Sequence, residues 1–79
     1  MKTMTCRQLG GACDETFTAE TFEQIAAMRQ QHGMDMFEKQ DADHLAAMQA
    51  MRQLMHAPDA MQKWYNERKA EFENLPDDD

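Results

Sequence analysis

The sequence predicts a small α+β domain, mainly α, in which a short N-terminal β-hairpin packs on three helices. Three observations carry that reading. The paired glycines Gly10-Gly11 mark a turn between two short threonine-containing stretches. Thr21-Phe22-Glu23-Gln24 has the form of a capping box, with Thr at the N-cap and Gln three positions on. From there to Leu75, apolar residues recur at helical spacing, with breaks near Gln40-Asp41 and Ala57-Pro58. At 79 residues the chain is one domain. It divides into a hairpin holding both cysteines (1–20), a helical body (21–75) and an acidic tail (76–79).

Lys2-Thr3-Met4-Thr5-Cys6 alternates loosely and reads as an edge strand. Glu15-Thr16-Phe17-Thr18 returns as the second strand, with Phe17 facing the core. A two-stranded hairpin is barely stable alone, so it must lie on the helices. The first helix, about 22–39, carries Phe22, Ile25, Ala26, His32, Gly33, Met36 and Phe37 on one broad face. Gly33 costs about 1 kcal/mol against Ala inside a helix, which predicts either a close approach of another element or a bend. Asp41 suits the N-cap of a second helix, about 42–56. Its Leu45, Met48, Met51, Leu54 and Met55 form a face wide enough for two neighbours. The third helix, about 58–74, takes Pro58 at its first position. Met61, Trp64, Tyr65, Phe72 and Leu75 make its stripe, and Phe22 and Trp64 are expected as large buried residues of the core.

The net charge is −7, but Glu71, Glu73, Asp77, Asp78 and Asp79 supply five negative charges with no cation after Lys69, which leaves −2 on residues 1–70. A near-neutral body with no Lys/Arg cluster argues against nucleic acid and anionic membrane as partners. No apolar run approaches a membrane span. The N-terminus carries Lys2 but no apolar signal core, so a cytoplasmic location is expected. A chain this short buries only about 60 % of its unfolded surface. Help from a metal, a disulfide or a second subunit is therefore expected.

Cys6, Cys13, His32 and His44 are the candidate metal ligands, since two thiolates and two imidazoles satisfy tetrahedral zinc by type. The C-x6-C spacing is wider than a finger knuckle, and it lacks the C-x-x-C setting of a thiol-redox pair. Iron and redox chemistry stay open beside zinc. The ordinary alternative makes the cysteines small buried hydrophobes bracketing a turn, with the histidines as surface or capping residues. No cofactor is required by the sequence. Nine methionines form the second feature. With His32, His44 and His56 they supply soft ligands suited to Cu(I), but at helical spacing they first read as adaptable core. Met48, Met51 and Met55 are the candidate interaction surface, and a second copy of the chain is the simplest partner. There is no serine nucleophile and no Gly-rich phosphate loop. The Asp41/Asp43 pair sits where helix capping accounts for it.

The pattern C-x-x-L-G-x-x-C-D over Cys6 to Asp14, His32-Gly33, and the D-x-x-H-x-x-A-M segment from Asp41 to Met48 resemble a family of short bacterial proteins defined as a domain of unknown function. Pro58, Trp64 and Leu75-Pro76 fit the same pattern. Some relatives carry two histidines one turn apart in the first helix, where this chain has only His32. The resemblance implies no activity. The leading expectation is a non-enzymatic helical interaction module, and the alternative is a small metal-binding or thiol-redox protein using Cys6 and Cys13.

Overall fold

In the computed structural model, which describes residues 1–78, β1 (Lys2–Thr5) and β2 (Thr16–Ala19) pair antiparallel with Met4 opposite Phe17. The two-residue period of a strand puts Met4, Phe17 and Ala19 on one buried face. Thr3 and Thr18 share a 2.8 Å hydroxyl hydrogen bond on the other face. Asp79, the last residue of the acidic tail, lies outside the described residues.

Three helices follow: α1 (Phe22–Glu38), α2 (Ala42–Leu54) and α3 (Ala60–Asn74). The capping box forms as expected. The Gln24 N–H donates to Thr21 Oγ1 at 3.2 Å, and the Thr21 N–H donates to Gln24 Oε1 at 3.2 Å. Asp41 caps α2 by accepting the His44 N–H at 3.0 Å. The α2–α3 junction differs from expectation. Proline disfavours helical backbone in the residue before it, and α2 ends at Leu54 rather than 56. Pro58 falls in the turn, and α3 starts at Ala60 behind Asp59, whose side chain makes no capping bond.

The core consists of Met4, Cys6, Leu9, Phe17, Ala19, Phe22, Ile25 and Phe72. Ile25 is fully buried, with 0 % exposure. Phe22 meets Tyr65 and Phe72 edge-on, with ring centroids 5.1 and 6.0 Å away. Trp64 is only half-buried, so Phe72 and not Trp64 is the aromatic that α3 sinks into the core. Phe37 (54 % exposed), Leu54 (53 %) and Met61 (63 %) likewise stand in solvent rather than in a covered face. The molecule measures 35 × 30 × 15 Å. In such a thin slab one layer of helices lies on one small sheet, and among the described residues no further layer covers the outer faces of the helices. His44 is the only buried residue of α2, while Leu45, Met48, Met51 and Met55 are half-buried. No helix among the described residues is long and apolar enough to cross a membrane.

Gly33 marks neither a bend nor a tight approach. It sits inside continuous α1, and a Cβ built on it would lie 3.6 Å from Arg29 Nη1 and 3.8 Å from Met48 Cε, which is ordinary contact. Gly33→Ala is therefore expected to stabilise the fold by about 0.5–1 kcal/mol. A thermal melt rising by a few degrees checks this, and a fall would mean that the site beside His32 needs the glycine.

Candidate metal centre

The strands of the hairpin are joined by ten residues, and their backbone closes the loop at a neck. The Cys6 N–H donates to the Glu15 carbonyl at 2.7 Å and the Arg7 N–H to the Cys13 carbonyl at 3.0 Å. These bonds extend the ladder past β1 and hold Cys6 and Cys13 side by side. Beyond the neck the chain makes one 3-10 turn, Arg7–Leu9, which ends at Gly10 with φ +87°, a left-handed conformation that suits glycine. Gly11 then passes directly over the Cys6 thiol, and a Cβ at that position would overlap Cys6 Sγ.

Two histidines meet the cysteines from the helices. His32 lies on α1, with its ring edge-on to Phe17 at 5.6 Å. His44 lies in the first turn of α2, with its ring 5.2 Å from that of His32. Cys13 Sγ is 3.3 Å from His32 Nε2, and Cys6 Sγ is 3.7 Å from His44 Nε2. All four donor atoms lie within 4.8 Å of one another, with Cys6 and His44 buried and Cys13 and His32 half-buried. The structure thus brings together the four candidate ligands of the sequence. Of the alternative that makes the histidines surface or capping residues, His44 is buried and joins the α2 cap through its backbone N–H to Asp41, while His32 is half-buried. His56 is exposed in the α2–α3 turn and outside the cluster.

Asp41 is the member that sequence reading assigned only a capping role. One carboxylate oxygen, Oδ2, accepts both the backbone N–H of His44 and its ring Nδ1–H, the latter at 2.6 Å. With the proton on Nδ1, Nε2 presents its lone pair to the cluster. This is the carboxylate–histidine arrangement that orients metal-bound imidazoles. The signal for it was present, because Asp41 and His44 are three residues apart across a helix start, a spacing that lets side chains meet.

Electrostatics follow this geometry. The hydrogen bond to Asp41 raises the His44 imidazole above its ordinary range against the opposing effect of burial. The His44 ring and backbone N–H groups hold the Asp41 carboxyl low. Burial pushes the Cys6 thiol up, but hydrogen bonds from the Cys13 and Ala12 backbone and from the His44 and Cys13 side chains outweigh it and leave the thiol below its usual value. Burial raises Cys13, and the neighbouring Cys6 thiol adds to the rise.

A zinc ion with bonds of about 2.3 Å to sulfur and 2.0–2.1 Å to nitrogen separates its tetrahedral ligands by about 3.3–3.8 Å. The two short sulfur–nitrogen distances, 3.3 and 3.7 Å, already match those edges. The widest pair need close by only about 1 Å, within reach of small side-chain rotations. Two thiolates and a divalent ion also cancel in charge, which suits a buried site.

Gly11→Ala tests the packing of this centre. The added methyl must displace Cys6 Sγ, and a loss of about 1–3 kcal/mol is expected from overpacking. Urea denaturation measures it, and a variant as stable as the wild type would show that the loop relaxes freely.

Comparison of the chain with protein-family models, with curated proteins and with solved structures gives no match in any of the three.

Proposed function

We propose that the protein is a non-enzymatic zinc-binding module, with the ion held by Cys6, Cys13, His32 and His44. The observation that carries this reading is the convergence of four donor atoms, from the hairpin neck, α1 and α2, within 4.8 Å of one another. Tetrahedral S2N2 sites of this kind select zinc, with iron next by ligand type. Four protein ligands leave no open position for water or substrate, the mark of a structural site. Bound there, zinc would tie the hairpin to two helices and supply the stability that a core of this size lacks.

The test is elemental analysis of untagged protein, joined to thiol titration before and after a chelator and to the absorption spectrum of the cobalt-substituted protein. One equivalent of metal, two thiols unreactive until chelation, and a tetrahedral cobalt spectrum with sulfur charge-transfer bands are expected. Two freely reactive thiols and no stoichiometric metal under any loading condition would return the cysteines to a packing role. A disulfide that forms readily in air, with no metal bound, would favour the thiol-redox reading.

A further inference from the structure

The space between α2 and α3 is an apolar groove of about 500 Å³, within the size range of small-molecule sites. Leu9 and Phe22, both buried, form its floor. Met48 and Met51 of α2 and Trp64 of α3 line it. Two cations line this groove, Arg29 from α1 and Arg52 from α2, and no carboxylate among the described residues does.

The pairing of the arginines sets these two apart. Arg7 pairs with Asp14, and Arg68 pairs with Glu67 and Glu71. Neither Arg29 nor Arg52 has an ion pair or hydrogen bond among the described residues. Arg29 is half-buried and Arg52 is exposed. In a chain of net charge −7, two arginines without an ion pair among the described residues line one apolar surface with no carboxylate, a local reversal of charge. Guanidinium groups bind carboxylates and phosphates with two parallel hydrogen bonds.

We propose that this groove binds a small amphipathic anion, an unbranched acyl chain or similar apolar body ending in an acidic head group. Arg29 and Arg52 take the head group, and the methionines and Trp64 take the chain. Flexible thioethers adapt to a featureless chain without requiring one shape of it. The charge lies only on the α1–α2 wall, while the α3 wall offers Met61, Trp64 and Tyr65. One-sided charge matches a ligand with one head group better than a peptide helix charged along both flanks. The proposal does not depend on whether the Cys/His centre holds metal.

Trp64 is the chain's single tryptophan and lines the groove, so its emission reports occupancy. The experiment titrates the full chain with dodecanoate below its micelle-forming concentration, alongside dodecyltrimethylammonium and a glutamate-flanked amphipathic peptide. Dodecanoate is expected to shift Trp64 emission to the blue and to saturate at one equivalent. The cationic surfactant is expected to give no saturable change at the same concentrations. R29Q and R52Q, checked for unaltered helicity by circular dichroism, are each expected to weaken dodecanoate by about tenfold. If a variant is unfolded, Arg29→Lys or Arg52→Lys takes its place, since either keeps the charge and loses the bidentate geometry.

No saturable response to dodecanoate, an equal response to the cation, or arginine variants that bind as the wild type does would each overturn the proposal. Tight binding of the peptide without dodecanoate would make the groove a protein-docking surface instead. Sedimentation equilibrium covers the remaining occupant. A dimer that Met51→Glu dissociates, with no room left for dodecanoate, would assign the groove to a second copy of the chain.

Discussion

With zinc held in the proposed Cys6/Cys13/His32/His44 centre, stripping the ion with a chelator is expected to lower the melting temperature by roughly 15–30 °C. A ligand present at a thousand times its dissociation constant stabilises the folded state by about 4 kcal/mol, and a domain of this size shifts by about 4–8 °C per kcal/mol. Cys13→Ala is the cleanest variant, because Cys13 is only half-buried and its removal leaves a small cavity. In excess zinc, Cys13→Ala should melt near the metal-free wild type. In chelator the two should agree within a few degrees. A Cys13→Ala loss of equal size with and without metal would mean that the thiol only packs. Acidity should act in the same direction as chelation. Burial holds the Cys13 thiol above its ordinary value, so at neutral pH the metal must displace its proton. Binding then releases at least one proton, and affinity should fall at least about tenfold for each unit by which pH drops.

The parts of this architecture that were readable from the sequence are local. Thr21 and Gln24 cap α1 through bonds spanning three residues, and Asp41 caps α2 in the same way. The alternation that buries Met4 and Phe17 belongs to each strand alone. The ligand types were readable as well, but their meeting was not. Cys6 lies 38 residues from His44, and Cys13 lies 19 from His32. These contacts exist because the hairpin neck lies where α1 and α2 converge, and no spacing rule encodes that. Helical period identifies which residues share a face but not whether anything covers it. Phe37, Leu54 and Met61 keep their period and stay exposed because the slab has, among the described residues, no outer layer above them. The second role of Asp41 was hidden by its first, since capping already accounted for its position.

Phe22→Ala is expected to cost about 3–5 kcal/mol, with Trp64→Ala costing less than about 2 kcal/mol. Phe22 is 3 % exposed at the first position of α1, where it joins the hairpin face to α3. It makes edge-to-face contacts with both Tyr65 and Phe72. Such contacts add about 0.5–1.5 kcal/mol beyond area burial, and alanine would leave a cavity within the buried cluster that includes Ile25 and Phe72. A single core of this size rarely supplies more than about 3–5 kcal/mol, so Phe22→Ala should leave the metal-free chain largely unfolded at room temperature. Trp64 loses less because one side of its ring already faces the open groove, and its cation–π partner Arg68, 5.7 Å from the ring, keeps its ion pairs with Glu67 and Glu71. Denaturant unfolding followed by far-ultraviolet circular dichroism measures both variants without relying on tryptophan emission, at one fixed metal concentration. Equal losses in the two variants would show that Trp64 holds the core together as firmly as Phe22 does, and that the groove is closed in solution.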